Sequence, residues 1–331
     1  MNPTISSQKT ESTPLNGIWP HNYQDYELPL ILNVLILIIA VVGLPGNLTV
    51  LWLLGFRMRR NAISVYILHL SGADFLLLCC RIIESLMRII FIHIFHYSNY
   101  ISIYYVFQNV VTIPYISGLG ILSAISIERC LSVLWPIWYH CRRPRNMSAV
   151  ICALMWVLSL IMSILDWHYS GFLSEFSDQN WWEKVDFIIA AWLIILFIAL
   201  SGSSLALMVK ILCGSRPRPL TRLYVTILLT VLVFLICGLP FGLYWFLSVW
   251  FHIYFYHNFR LPYEVTVVLS CVNSCANPII YFCVGSFSKR QQYKNFKTVL
   301  QRALQDTPEL DECGGSHPPE TFEMSGSRVE Q

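Results

Sequence analysis

Seven long apolar stretches follow one another along the chain, at about 28–55, 63–91, 101–134, 147–168, 185–212, 221–250 and 262–284. Each reaches the ~20 residues that a helix needs to cross a bilayer. Inside a bilayer only helices and closed barrels satisfy the backbone. Barrel strands are about ten residues long and alternate strictly, whereas these runs are longer and do not alternate. The pattern predicts an all-α membrane protein, a seven-transmembrane helix bundle. No internal repeat is evident, which argues against a transporter built from repeated halves.

The flanks complete the organisation. Residues 1–27 are polar and lack the basic-then-apolar pattern of a cleaved signal peptide; they read as an extracellular N-terminal tail ahead of a membrane domain at 28–285. Residues 286–303 set Phe287, Phe296 and Leu300 among basic groups, which predicts a short amphipathic eighth helix on the inner membrane face. Residues 304–331 are rich in Glu, Pro, Gly and Ser and read as a disordered cytoplasmic tail. Lys and Arg set the orientation. The first, third and fifth loops and the segment after the seventh stretch carry 15, and the opposite side carries 3. That asymmetry places the N-terminus outside and the C-terminus in the cytoplasm.

Composition narrows the class further. Of 331 residues, 56% are hydrophobic and 12% charged, about half the roughly 25% charged of a soluble domain. A disordered chain, a fibre and an ordinary cytosolic enzyme are excluded. A net charge of +3 gives no sign of a nucleic-acid partner. The 11 cysteines are scattered without metal-ligand spacing.

Polar residues inside the apolar stretches carry the functional reading. Asn47, Asp74, Asn273 and Asn277 are all expensive in lipid, and an intramembrane carboxylate is a functional-site hypothesis by default. A purely structural network that glues helices is the competing reading, and the two overlap. Glu128-Arg129-Cys130 stands at the inner end of the third stretch. Adjacent opposite charges there can hold each other neutral, and release of the Arg is then a two-state event. Asn277-Pro278-Ile279-Ile280-Tyr281 puts a kinking Pro in the seventh stretch, and Cys237-Gly238-Leu239-Pro240 puts another in the sixth. Their order, each in its own span, is the informative feature.

With these motifs the chain resembles the rhodopsin-like G-protein-coupled receptors over roughly residues 28–300. Asn47, Asp74 in Leu70-Ser71-Gly72-Ala73-Asp74, Glu128-Arg129-Cys130, Trp156, Pro240 and Asn277-Pro278-Ile279-Ile280-Tyr281 fit that family's motifs helix by helix. More narrowly it is similar to the Mas-related receptors, near the X and C types of rodents. The strings Leu51-Trp52-Leu53-Leu54-Gly55-Phe56-Arg57-Met58-Arg59-Arg60, Glu128 to Tyr139, Gly202-Ser203-Ser204-Leu205-Ala206-Leu207 and Cys237-Gly238-Leu239-Pro240-Phe241-Gly242 carry this resemblance. It implies a switch built from Asn47, Asp74, Glu128, Arg129, Gly238, Pro240, Asn273, Asn277, Pro278 and Tyr281. It also implies a heterotrimeric G protein of the Gq class with calcium release; Gi and arrestin are further candidate partners beside the lipid bilayer. The implied setting is a sensory neuron (itch, nociception) or a mast cell. The departures matter too. Gly238 stands where the wider class has a toggle Trp, and the Cys that tie the second outer loop are absent, with Ser170 and Trp182 where many Mas-related receptors pair two.

Two carboxylates mark a candidate ligand pocket. Asp166 lies at the outer end of the fourth stretch and Asp186 at the outer start of the fifth. If those helices are neighbours, the acids share one pocket, and unpaired like charges there are relieved by a cation. Arg suits it, because its planar fork bonds a carboxylate bidentately. Two solvated helix-end charges are the alternative. The resemblance supports the pocket, since the X and C types use acids at these positions for basic peptides and cationic amphiphiles. It adds Tyr115, Phe172, Trp245 and Trp250 as contacts, against interface anchoring for the other outer Trp residues. Glu84, flanked by Arg81 and Arg88 at helical spacing, reads as a structural ion pair. No enzyme is expected: no nucleophile elbow, phosphate loop or dinucleotide fingerprint occurs. His93 and His96 have no acid or Cys to complete a metal site, and no cofactor is implied. A seven-helix transporter of a small solute is the alternative function. The expected location is the plasma membrane, crossed several times.

Overall fold

Helices form wherever the apolar stretches run, because a backbone in hydrocarbon must bond to itself. The computed structural model describes residues 24–58, 61–94, 98–144, 146–169, 179–213, 222–250, 260–286 and 296–304. Among these, every regular element is helical. The first span is Gln24–Trp52, continued by a wide π turn at Leu53–Arg57. The second is Ala62–Ile94, the third Ser98–Leu134, the fourth Met147–Tyr169 and the fifth Gln179–Cys213. The sixth is split into Arg222–Val233, a π turn Phe234–Gly238, and Leu239–Trp250. The seventh is Arg260–Ser286. Seven of these helices are long and apolar enough to cross a membrane.

The expected limits hold to within a few residues. The widest difference is at the fifth span, which begins at Gln179 rather than 185. Helical hydrogen bonding continues through polar residues beyond the bilayer edge, where hydropathy alone ends the span. Two short elements lie outside the spans. A linker helix, Pro136–Arg142, follows the third span with Pro136 in its first turn, a position where the missing N–H costs nothing. The basic loop expected there is thus partly helical. Of the amphipathic eighth helix expected at 286–303, the part Phe296–Ala303 is helical; residues 287–295, Phe287 among them, lie outside the described residues. Its apolar face, expected on the membrane surface, is covered instead: Val299, Leu300 and Ala303 are at most 3% exposed. The reason is that this helix packs on the ends of the sixth and seventh spans.

The third span is the axis of the bundle. Of its most apolar window 72% is buried, against 22% in the fourth and fifth spans. It packs on the second, fourth and fifth, while the first packs on the second and seventh. Two apolar clusters fill the interior. One, towards the Arg129 end, contains Leu54, Tyr66, Ile125, Leu223 and Tyr281. The other, towards the Asp166 end, contains Ile36, Leu78, Tyr115, Ile189, Phe241 and Val267. Residues such as Val42, Ile198 and Ile236 form outward apolar faces, the surface that a bilayer covers.

Candidate functional site

At the Asp166 end, all seven spans contribute to one apolar cluster with an aromatic centre. Asp166 is half-buried near the end of the fourth span, whose Met162 and Leu165 pack on the cluster around Tyr115 and Phe241. Tyr115 comes from the third span, and Trp245 joins from the sixth. The Tyr115 and Phe241 rings meet edge to face, centroids 5.0 Å apart, a favoured geometry for aromatic pairs. The fourth and fifth spans are neighbours, as the pocket requires. Buried Val185 and Ile189 bring the fifth span into the same cluster. Asp186 lies in that helix and Trp250 ends the sixth, but their side chains, and all of Phe172, lie outside the described residues. Asp166, Tyr115 and Trp245 are therefore placed at one end of the bundle; the other three are placed by backbone or not at all.

Beside this cluster, and running on towards the same end of the bundle, is a buried charge network. Arg81 Nη1 bonds Glu84 Oε2 at 2.7 Å, and Arg88 Nη2 stands 3.5 Å from Glu84 Oε1. This bears out the ion pair expected from spacing. The structure adds Glu264 of the seventh span, which accepts from Arg88 Nη1. All four side chains are buried. Two cations face two anions, so the network is neutral, which is the condition for keeping charge in a low-dielectric interior. Arg81 also lies over the Phe241 ring, 5.0 Å from its centroid, the geometry of a cation–π contact. The rule that selected Asp74, a carboxylate inside an apolar span, also selects Glu264; sequence reasoning passed it over.

The sixth span is irregular where the motifs foretold a hinge. In the π turn Phe234–Gly238 the Leu239 N–H reaches back to the Phe234 carbonyl. Such wide turns recur at functional sites, and Pro240, lacking an N–H, stands just beyond it. The Tyr115 hydroxyl donates to the Gly238 carbonyl at 3.1 Å. Gly238 has no room for a larger group: a Cβ there meets the Phe234 ring and the Asn273 amide. So Asn273 faces the hinge. Phe234, Tyr115 and Asn273 thus crowd the position where the wider class carries a toggle Trp.

In mid-bundle, Asn277 Nδ2 donates to Asp74 Oδ2 at 2.7 Å. Asn47 Nδ2 donates to the Ser274 carbonyl at 3.0 Å. The first, second and seventh spans are thereby tied together beside Pro278, with Ser274 an unforeseen member. Tyr281 is fully buried, and among the described residues its hydroxyl has no hydrogen-bond partner, an arrangement that costs about 1–3 kcal/mol and favours any state that supplies one.

At the Arg129 end, the acidic–Arg pair is held by a third party. Glu128 Oε1 takes Arg143 Nη2 at 2.7 Å and the Tyr139 hydroxyl at 2.7 Å. Arg129 Nη2 donates to that same hydroxyl at 3.0 Å. Both guanidinium groups also lie over the Tyr139 ring. Burial pushes the Tyr139 phenol up to about 12, with Glu128 adding to the effect against Arg129, so the hydroxyl stays a donor at neutral pH. Glu128 and Arg129 are each 3% exposed. Tyr139 and Arg143 escaped sequence reasoning because no helical spacing links them to Glu128 across the Trp135–Pro136 corner. Among the described residues, no group of His, Cys, Asp and Glu could hold a metal ion.

Seven spans around a central third helix, a polar core at Asp74 and a caged Arg129 define a membrane receptor architecture. Residues 46–281 match the family profile described as "7 transmembrane receptor (rhodopsin family)". The chain is 60% identical to the mouse Mas-related G-protein coupled receptor member X1 over 328 residues, covering 99% of this chain and 100% of that protein. It is 56% identical to the human member X1 and 55% to the human member X3, each over 331 residues and the full length of both chains. The chain belongs to the Mas-related G-protein-coupled receptors of the rhodopsin family. It is a multi-pass plasma-membrane receptor that acts through a G protein, not an enzyme.

Proposed function

We propose that this receptor senses basic, Arg-rich or amidated peptides, or cationic amphiphiles, at its Asp166 end. The observation that supports this most is the half-buried Asp166, on the helix whose Met162 and Leu165 pack on the cluster of Tyr115, Phe241 and Trp245. A carboxylate partly withdrawn from water favours a cation that comes to pair with it, and aromatic side chains at the same end of the bundle add a cation–π attraction. Asp186 from the adjoining helix is the second acid, and Phe172 and Trp250 complete the contacts. Lys and Arg asymmetry supports an orientation with this end and the tail 1–27 outside the cell, and the Arg129 end and the tail 304–331 inside.

Ligand binding favours a state in which the sixth span swings outward about the π turn and Pro240. It can do so only through its differential affinity for the two states. Asn47, Asp74, Asn273, Asn277, Pro278 and Tyr281 repack with it, and Arg129 leaves Tyr139 and Glu128 to meet the G protein. The partner is of the Gq class, with calcium as the readout, in sensory neurons (itch, nociception) or mast cells. Gi coupling and arrestin recruitment are secondary outcomes of the same opened face.

Calcium release in cells expressing the chain, challenged with Arg-containing amidated peptides, tests the ligand class. Asp166→Asn and Asp186→Asn are each expected to cost about 2 kcal/mol or more, roughly thirtyfold in potency, as one partner of a desolvated charge pair is lost. Unchanged potency in both, at equal surface level, discards the pocket. A second test concerns the cage around Arg129. Arg143→Ala removes a partner of Glu128 and is expected to raise ligand-independent signalling by about fivefold, the lower end of coupled equilibria. Basal activity at or below the wild-type level speaks against the cage.

A further inference from the structure

The C-terminal helix is covered where a membrane-surface helix would be bare. On the nearby seventh span, outward apolar residues stand open: Ile279 is 60% exposed and Phe282 47%. In the C-terminal helix Val299, Leu300 and Ala303, and the following Leu304, are at most 3% exposed, while Lys297, Thr298 and Gln301 face outward. The buried positions recur at three- and four-residue spacing, so one whole helix face is occupied. Protein covers it, not lipid. Leu300, Ala303 and Leu304 belong to the same cluster as Leu223 and Ile227 of the sixth span and Tyr281 of the seventh.

The contacts fall on the part of the sixth span that must move. Thr226 Oγ1 stands 3.4 Å from the Ala303 carbonyl, sharing the hydroxyl hydrogen it also gives to the Arg222 carbonyl. Arg222 Nη1 donates to the Gly285 carbonyl of the seventh span at 3.3 Å. Gly285 lets the C-terminal helix come close, since a Cβ there would collide with the Val299 backbone carbonyl. Phe296 stacks on Phe282, centroids 5.6 Å apart. We infer that residues 296–304 are an intramolecular latch, which clamps the Arg222–Thr226 turn of the sixth span to the seventh and holds the receptor uncoupled until a G protein displaces it. The inference rests on the proposed outward swing of the sixth span at the Arg129 end. An element bound to the closed state alone opposes opening by its own binding free energy, and opening weakens its hold by the same factor.

Ligand-independent nucleotide exchange on Gq and Gi heterotrimers tests the latch, in membranes carrying the full chain at matched surface levels. Leu300→Asp and the milder Gly285→Ala, which keeps the seventh helix a good helix former, should each raise exchange by about fivefold or more. Gln301→Asp, on the exposed face, should leave it unchanged. The pair Thr226→Cys with Ala303→Cys should cross-link under mild oxidation, silence exchange, and recover with reductant; neither single variant should respond. Added Gq should slow the cross-linking. No cross-link, a cross-linked chain that exchanges as fast as the reduced one, or wild-type exchange in both Leu300→Asp and Gly285→Ala overturns the latch. Arg129→Ala in the same assay separates the two readings. If it silences exchange while the latch variants change nothing, the latch alone is wrong. If it changes nothing, the coupling reading fails and the latch falls with it.

Discussion

Glu264→Ala is expected to cost the receptor about 3–5 kcal/mol of stability, the range for removing one partner of a buried ion pair. The loss is large because of what remains. Arg88 is 5% exposed, and of the two carboxylates described beside it, the one that remains, Glu84, stands at 3.5 Å. Glu84 is already held at 2.7 Å by Arg81. The change removes one negative charge from beside two buried cations. Against a total stability of about 5–15 kcal/mol, the variant should be scarce at the cell surface and unfold at lower temperature in detergent. The double change Arg88→Met with Glu264→Leu should recover most of both, because it removes one charge of each sign and leaves Arg81–Glu84 neutral. Wild-type stability of the single variant would mean that the network bears little of the fold. A double variant no better than the single one would point to packing rather than charge.

Arg129→Ala has the opposite profile: signalling lost, fold kept. Without Arg129 the Tyr139 hydroxyl still donates to Glu128, and Glu128 still holds Arg143. No buried charge is stranded, so surface expression should match the wild type. In the proposed mechanism Arg129 is the group that the opened face offers to the G protein. Both basal and ligand-driven exchange should therefore fall to the background of cells lacking the receptor. Normal exchange from Arg129→Ala at a normal surface level would remove Arg129 from the mechanism.

The bundle was legible because a membrane imposes one rule everywhere: a long apolar run must be a helix. The Arg81–Glu84–Arg88 pairing was legible for a similar reason, since it lies within one helix at fixed spacing. What sequence could not show was contact between elements far apart in the chain. Glu264 meets Arg88 across 176 residues. Arg143 meets Glu128 around a Pro-initiated corner that no periodicity describes. The C-terminal helix was visible as an amphipathic pattern, but a pattern states only that an apolar face needs cover. Lipid and protein satisfy it equally, and here the sixth and seventh spans provide the cover. The hinge was half legible. Gly238 and Pro240 stood out in the sequence, whereas the π turn that ends at Gly238 is a backbone feature that no hydropathy pattern carries.

The ligand reading stands or falls on peptide-stimulated nucleotide exchange on Gq, measured in membranes that carry either the wild-type chain or the Asp166→Asn, Asp186→Asn double variant at equal density. The prediction is saturable exchange driven by an Arg-rich amidated peptide in the wild type, absent with a peptide of the same length lacking basic residues, and lost in the double variant. Exchange of equal size and potency from the double variant, or no exchange on any heterotrimer from a well-expressed wild type across the basic-peptide panel, would contradict it.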